Sequence, residues 1–204
     1  IPAPYWVTYP ELVRMAGGVP VFVETKSENA YVMTAADFEA AITPKTRALI
    51  LNTPSNPCGA MYSEPQLAEL AKIAIAHDLI VISDEIYEAL CYDGERQVSI
   101  ASLDGMRERT IVVNGLSKAY AMTGWRIGYT AAPREVTRVM ANYQSHATSN
   151  ACTISQYAAI EALSSPGEEV QKMADIFARR RNALLKAAEK IKGAQCVRPD
   201  GAFY

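Results

Sequence analysis

The sequence predicts an α/β fold built on a mainly parallel sheet, and three observations carry that prediction. Short runs rich in Val, Ile and Leu alternate with longer segments of helical periodicity, the pattern left by strands and their crossover helices. A capping signature marks where one of those helices starts. Polar side chains capable of chemistry stand at or just past the ends of the apolar runs, where open α/β sheets place their ligands.

The strand-like runs are residues 19–23, 47–52, 79–84, 110–114 and 125–131, with helical stretches near 34–42, 64–77 and 134–144. Ser63-Glu64-Pro65-Gln66 has the form of a capping box with an early proline. The serine and glutamine can satisfy free backbone amides, and the proline has no amide to leave unpaired. The last third is different: residues 151–163 are helical, Ser164-Ser165-Pro166-Gly167 breaks the pattern, and residues 168–192 form a long helix with Val170, Met173, Phe177, Leu184, Ala188 and Ile191. Acidic residues open that helix and basic ones follow, as its dipole favours. Its run Arg179-Arg180-Arg181 is expected on a solvated face, His77 at a helix end or surface, and Tyr120, Trp125 and Tyr129 in packing. There are no repeats, low-complexity segments or long Gly/Ser linkers.

The 204 residues suffice to bury a substantial core, and half of them are hydrophobic. The balance of 20 basic against 22 acidic residues gives a net charge of -2 and no basic tract that would suit nucleic acid. No apolar run approaches the ~20 residues that span a bilayer, and the first residues lack a signal peptide's charged and apolar regions. A soluble protein with no membrane partner is the expectation. The four cysteines, at 58, 91, 152 and 196, form no Cys-x-x-Cys pair, which argues against a zinc site or redox motif and makes a reducing cytoplasm the simplest setting. Two histidines, His77 and His146, are too few and too far apart to suggest a metal.

The most informative stretch is Gly115-Leu116-Ser117-Lys118-Ala119-Tyr120-Ala121-Met122-Thr123-Gly124-Trp125-Arg126-Ile127-Gly128. A lysine that attacks a carbonyl must shed its proton, which calls for a partly desolvated, electropositive setting. Arg126 would supply charge and a planar fork for a phosphate, Ser117 a further hydroxyl, and Gly124 and Gly128 close backbone approach. These demands describe pyridoxal phosphate. Two further motifs lie upstream: Asn52-Thr53-Pro54-Ser55-Asn56-Pro57-Cys58-Gly59 and Ser83-Asp84-Glu85-Ile86-Tyr87.

In order and spacing, the three motifs resemble the Asn-Pro-Thr-Gly loop, the Asp-x-x-Tyr element and the lysine signature of the fold-type I, class I/II aminotransferases. The resemblance implies a three-layer α/β/α architecture. Residues 1–167 would be a large domain that binds pyridoxal phosphate, and residues 168–204 a linking helix with the start of a smaller one. It implies that Lys118 holds the cofactor covalently and then moves the substrate's Cα proton. Asp84 would face the pyridine nitrogen and keep it protonated, because an electron sink needs a positive centre. A carboxylate ending the apolar run 79–83 would be costly without such a partner. Tyr87 and Asn56 would bond the ring oxygen, Arg126 and Ser117 the phosphate, and Trp6, within Pro4-Tyr5-Trp6-Val7-Thr8-Tyr9-Pro10, would stack on the ring.

Two positions depart from the family pattern: Cys58 stands where threonine is common, and Gly115 where some members carry a phosphate-binding serine. The resemblance also implies about twice this length. On that reading the chain is a fragment, without the N-terminal phosphate loop and the C-terminal arginine that grips the substrate carboxylate, and has little activity alone. The expected reaction is ping-pong transfer between an amino acid and a 2-oxo acid, L-aspartate and 2-oxoglutarate being favoured, in a homodimer. Alanine, aromatic and prephenate substrates stay open. So do a lyase on the same fold and the aminotransferase-like domain of a transcriptional regulator.

Overall fold

A computed structural model describes residues 1–204. Its strands are β1 (Pro2–Ala3), β2 (Val23–Glu24), β3 (Ala48–Asn52), β4 (Ile80–Asp84), β5 (Thr110–Gly115) and β6 (Gly128–Ala131). Its helices are α1 (Thr8–Met15), α2 (Ala35–Ala41), α3 (Glu64–Ala76), α4 (Arg134–Ala147), α5 (Thr153–Ser164) and α6 (Glu168–Ala188). The main sheet runs β3-β4-β5-β6, parallel except for β6, which is antiparallel to β5, and β1 and β2 form a separate parallel pair. Parallel neighbours need a crossover, and α3 supplies the one between β3 and β4.

The capping box forms as expected: Gln66 Oε1 accepts from the Ser63 amide at 2.9 Å, with a proline in the first turn of α3. A second box, unforeseen, starts α2, where the Asp37 amide donates to Thr34 Oγ1 at 3.1 Å. The core follows from the two periods. Alternate residues Leu49 and Leu51 of β3 and Val81 and Ser83 of β4 are buried on one face. Against them lies the α3 stripe Leu67, Leu70, Ala71 and Ala74, spaced by three and four residues, with Phe38, Ile100 and Met106 closing the cluster. Truncating a fully buried leucine here, such as Leu67, should destabilise by about 2–5 kcal/mol. On the other face Ile50 lines a small cavity with Ile1, Tyr5 and Tyr9, so the N-terminal segment covers the side that α3 does not.

Several elements differ from the sequence expectation. Within 19–23 only Val23 pairs, because Pro20 has no amide to donate and Val19 and Val21 are exposed. The strand expected over 125–131 begins at Gly128, since Thr123–Trp125 close a short 3-10 turn and Arg126 turns left-handed at φ 51. The last helix stops at Ala188. Helix α1 was not anticipated. Trp125 and Tyr129 are exposed rather than packed, and every residue of β6 is open to solvent. In the triple arginine, Arg179 and Arg180 face solvent but Arg181 is buried: it pairs with Asp93 at 2.8 Å and donates to the Pro199 carbonyl at 2.9 Å. His77 caps α3 and bonds Glu39 at 2.7 Å. No helix is long and apolar enough to cross a membrane.

Candidate active site

The carboxyl ends of β3, β4 and β5 carry the three motifs, and adjacent strand ends are in register at Asn52 and Asp84. The two-residue alternation puts Asp84 on the face of Ile82, Ile50 and Asn52, away from the α3 core and towards the N-terminal segment. Asn52 then joins the loops: its Nδ2 donates to the Asp84 carbonyl at 3.0 Å, while its Oδ1 accepts from the Asn56 amide at 2.7 Å. The Thr53 amide reaches the same carbonyl at 3.1 Å. The loop is closed by two backbone bonds of 2.9 Å, the Gly59 amide donating to the Ser55 carbonyl and the Ser55 amide to the Ala60 carbonyl. Gly59 has φ 64, and a Cβ there would lie 2.5 Å from Pro199 Cβ. Cys58 sits inside this loop, 3.3 Å from Ser55 Oγ, and burial pushes its thiol pKa up.

Asp84 has a donor on each oxygen. Tyr9 donates its hydroxyl to Oδ2 at 2.6 Å, and the Ile86 amide donates to Oδ1 at 3.1 Å. Burial first, and then the Asp84 charge and hydrogen bond, raise the Tyr9 pKa well above the usual phenol value, so Tyr9 is a fixed donor. The adjacent acid is occupied elsewhere: buried Glu85 accepts from Ser83 at 2.8 Å and Ser99 at 2.7 Å.

The turn after β4 buries Tyr87 and sets its ring centroid 6.0 Å from Lys118 Nζ. Burial, the Tyr204 hydroxyl and the Asp84 charge keep Tyr87 protonated, against an opposing pull from the Asn56 side chain. Lys118 lies half-buried in the turn that leaves β5. The Leu116 carbonyl accepts from the Tyr120 and Met122 amides, Thr123 Oγ1 caps the Ser117 carbonyl at 2.9 Å, and Leu116 and Met122 anchor the turn against Ala159. Gly115 and Gly128 face each other across β5 and β6; a Cβ on Gly115 would meet Gly128 Cα at 2.9 Å. The motif's glycine pair thus serves strand approach, whereas a Cβ on Gly124 would meet nothing.

Asn56, Asp84, Tyr87 and Lys118 therefore converge. Trp6 joins them through Tyr9, whose ring it meets edge-on at 5.4 Å. Ser117 contributes its backbone carbonyl to the turn, and the exposed Arg126 directs Nη1 to the Thr123 carbonyl at 3.0 Å. Sequence reasoning missed Tyr9, Asn52 and the aromatic pair Phe203 and Tyr204. Phe203 places its ring 5.5 Å from Lys118 Nζ, and Tyr204 bonds Tyr87 at 3.0 Å. The arrangement offers an amine beside aromatic faces, a carboxylate oriented by two donors, and a phenol held as a donor.

The profile of the family described as aminotransferase class I and II matches residues 1–204. The chain is 47% identical, over its full length, to an aspartate aminotransferase of Bacillus subtilis and covers 52% of that protein. It is also 47% identical to an aspartate/prephenate aminotransferase of Cereibacter sphaeroides, again with the whole chain matched to 52% of the relative. Among solved structures, an aromatic aminotransferase from Pyrococcus horikoshii superposes with a TM-score of 0.96 at 44% identity, over 98% of this chain and 54% of that one. The chain thus spans about half the length of the relatives it matches. These likenesses bear out the open, mainly parallel three-layer fold, and the protein belongs to the aminotransferase class I and II family.

Proposed function

We propose that the complete protein transfers an amino group between an L-amino acid and a 2-oxo acid, using pyridoxal phosphate, with aspartate and 2-oxoglutarate as the favoured pair. The observation that supports this most is Asp84, a carboxylate at a strand end oriented by Tyr9 and the Ile86 amide and sharing one site with Tyr87 and Lys118. An ionised carboxylate has about four acceptor positions, so two remain for a protonated ring nitrogen.

The donor set fits the cofactor group by group. Lys118 offers the amine that an aldehyde requires, Tyr87 and Asn56 offer donors for a ring oxygen, and Arg126 and Ser117 are the groups we assign to the phosphate. Trp6 supplies a flat face that covers the ring and excludes water. When bound, pyridoxal phosphate supplies the electron-accepting ring that makes the substrate Cα proton removable. Asp84 would hold the positive ring nitrogen. Lys118 would hold the cofactor aldehyde and, once its amine is free, would carry the proton taken from the substrate Cα, and Tyr87 would stay protonated as a donor.

The aspartate preference leans on the names of the relatives, which also include aspartate/prephenate and aromatic aminotransferases. We place the complete protein in a reducing compartment, consistent with four free cysteines. We further propose a homodimer, in keeping with α4, a helix with no buried residue that exposes Val139 and Tyr143.

The test is a visible spectrum of the complete protein with pyridoxal phosphate. Aspartate should bleach a lysine-dependent band and 2-oxoglutarate should restore it. A response only to aromatic amino acids or prephenate would move the substrate. Pyruvate and ammonia formed without a 2-oxo acid would replace transamination with a lyase reaction.

A further inference from the structure

The segment Pro199–Tyr204 is wedged between the Asn56 loop and the Tyr87 turn. The Gly59 carbonyl accepts from the Asp200 amide at 2.9 Å and the Gly201 amide at 3.0 Å. On the other side the Ala202 amide donates to the Leu90 carbonyl at 2.9 Å, the Tyr92 amide donates to the Asp200 carbonyl at 3.0 Å, and the Tyr92 hydroxyl donates to the Ala202 carbonyl. The fit is close: a Cβ on Gly201 would lie 2.6 Å from Pro54 and 2.9 Å from the Leu90 carbonyl. A segment fixed on both flanks delivers its next two side chains with little freedom. Phe203 packs edge-on against the Tyr87 ring at 5.3 Å and Phe177 supports it from α6 at 5.6 Å. The Tyr204 ring meets Tyr87 at 5.9 Å and its hydroxyl lies 3.0 Å from the Tyr87 hydroxyl.

A phenol has one proton to donate and two positions at which to accept. The Asn56 side chain lies close enough to the Tyr87 hydroxyl to pull its pKa down against the other groups around it. Tyr87 is buried, so the free positions on its oxygen are filled by neighbouring groups rather than by bulk water. Either hydroxyl can donate across the 3.0 Å contact; resting on the function proposed above, we propose that Tyr204 is a positioning residue, and that when the bound cofactor takes the Tyr87 proton in a hydrogen bond the Tyr204 hydroxyl turns to donate to the Tyr87 oxygen and fills an acceptor position there. Hydrogen bonds in series strengthen one another, so Tyr204 also makes Tyr87 the stronger donor. Its influence reaches the cofactor only through Tyr87.

The experiment uses the complete protein loaded with pyridoxal phosphate, without substrate, and reads the pH midpoint of the lysine-dependent visible band. Tyr204→Phe removes the hydroxyl and retains the ring; it should raise that midpoint by roughly half a unit, the scale of one net hydrogen bond. Tyr87→Phe should raise it further, and adding Tyr204→Phe to Tyr87→Phe should change nothing more. A midpoint unmoved by Tyr204→Phe, or an equal shift with and without Tyr87, would overturn the proposal and leave the proposed function standing. Absence of any band abolished by Lys118→Ala would overturn both.

Discussion

Replacing Asp93 should destabilise the protein more than replacing Arg181, although each change breaks the same ion pair. Arg181 donates Nη2 to Asp93 at 2.8 Å and Nη1 to the Pro199 carbonyl at 2.9 Å, and its guanidinium lies 4.7 Å from the Tyr92 ring centroid. The two side chains differ in access to water: Arg181 is 5% exposed and Asp93 45%. Asp93→Ala strips a buried guanidinium of its hydrogen-bonded counter-charge, leaving only the more distant Asp200. The Pro199 and Tyr92 contacts survive, which puts the loss near the lower end of the range for breaking a buried pair, about 3 kcal/mol. Arg181→Met retains the apolar stem and leaves Asp93 in water, still bonded to Arg198 at 2.8 Å. The bonds to Asp93 and to the Pro199 carbonyl and the ring contact are lost, but the desolvation cost of a buried charge is lost with them, for a net of about 2 kcal/mol. Denaturant unfolding of the complete protein measures both, at constant slope. Hydrogen bonds from Arg181 and Arg198 pull the Asp93 pKa from 3.8 down to about 2. Because the folded value lies below the unfolded one, this stabilisation is present above pH 4 and fades as the pH falls toward 2. In Arg181→Met the folded Asp93 pKa should lie nearer its unfolded value, so the acid loss should be smaller and complete at higher pH. If Arg181→Met proves the more damaging change, or the acid limb does not move, the buried-charge reasoning is refuted.

Tyr9→Phe removes the hydroxyl that donates to Asp84 at 2.6 Å and should lower unfolding stability by about 2 kcal/mol, the scale of a hydrogen bond to a charged group; an unchanged midpoint would show that the bond contributes nothing. Gly59→Ala puts a Cβ 2.5 Å from Pro199 and 2.7 Å from the Gly201 carbonyl at φ 64, so it should destabilise by about 2 kcal/mol or more, read by the same titration. Alkylation at neutral pH followed by peptide mass spectrometry should label Cys152 before Cys58 or Cys91. Backbone amides of Ser155 and Ile154 lower the Cys152 thiol pKa, while burial raises that of Cys58 and pushes Cys91 up to about 11.

The parallel strands were legible because they are fully patterned: an apolar run ending in a polar residue defines β3 and β4, and the Ser63 capping box fixes where α3 begins. Asn56, Asp84 and Lys118 were legible because they stand at or beyond strand ends, where the topology makes distant positions meet, and Tyr87 through its motif spacing from Asp84. Tyr9 was not. Its neighbours supply no strand pattern, and only the facing of Asp84 towards the N-terminal segment shows why a phenol there matters. Tyr204 and Arg181 escaped for a related reason. Their partners, Tyr87 and Asp93, lie far away in sequence, and a short tail or a basic triplet carries no local sign of what it will pack against. The Asn52 bridge was invisible too: its residue type announces a turn, and its register with Asp84 is a property of the sheet.

The central claim is that Lys118 is the amine that holds the cofactor. Borohydride reduction of the complete protein loaded with pyridoxal phosphate, followed by proteolysis and mass spectrometry, tests it directly. The account predicts one pyridoxyl label, on Lys118, and none at that position when aspartate has first converted the bound cofactor. A label on another lysine, or no stable label at all, would contradict it.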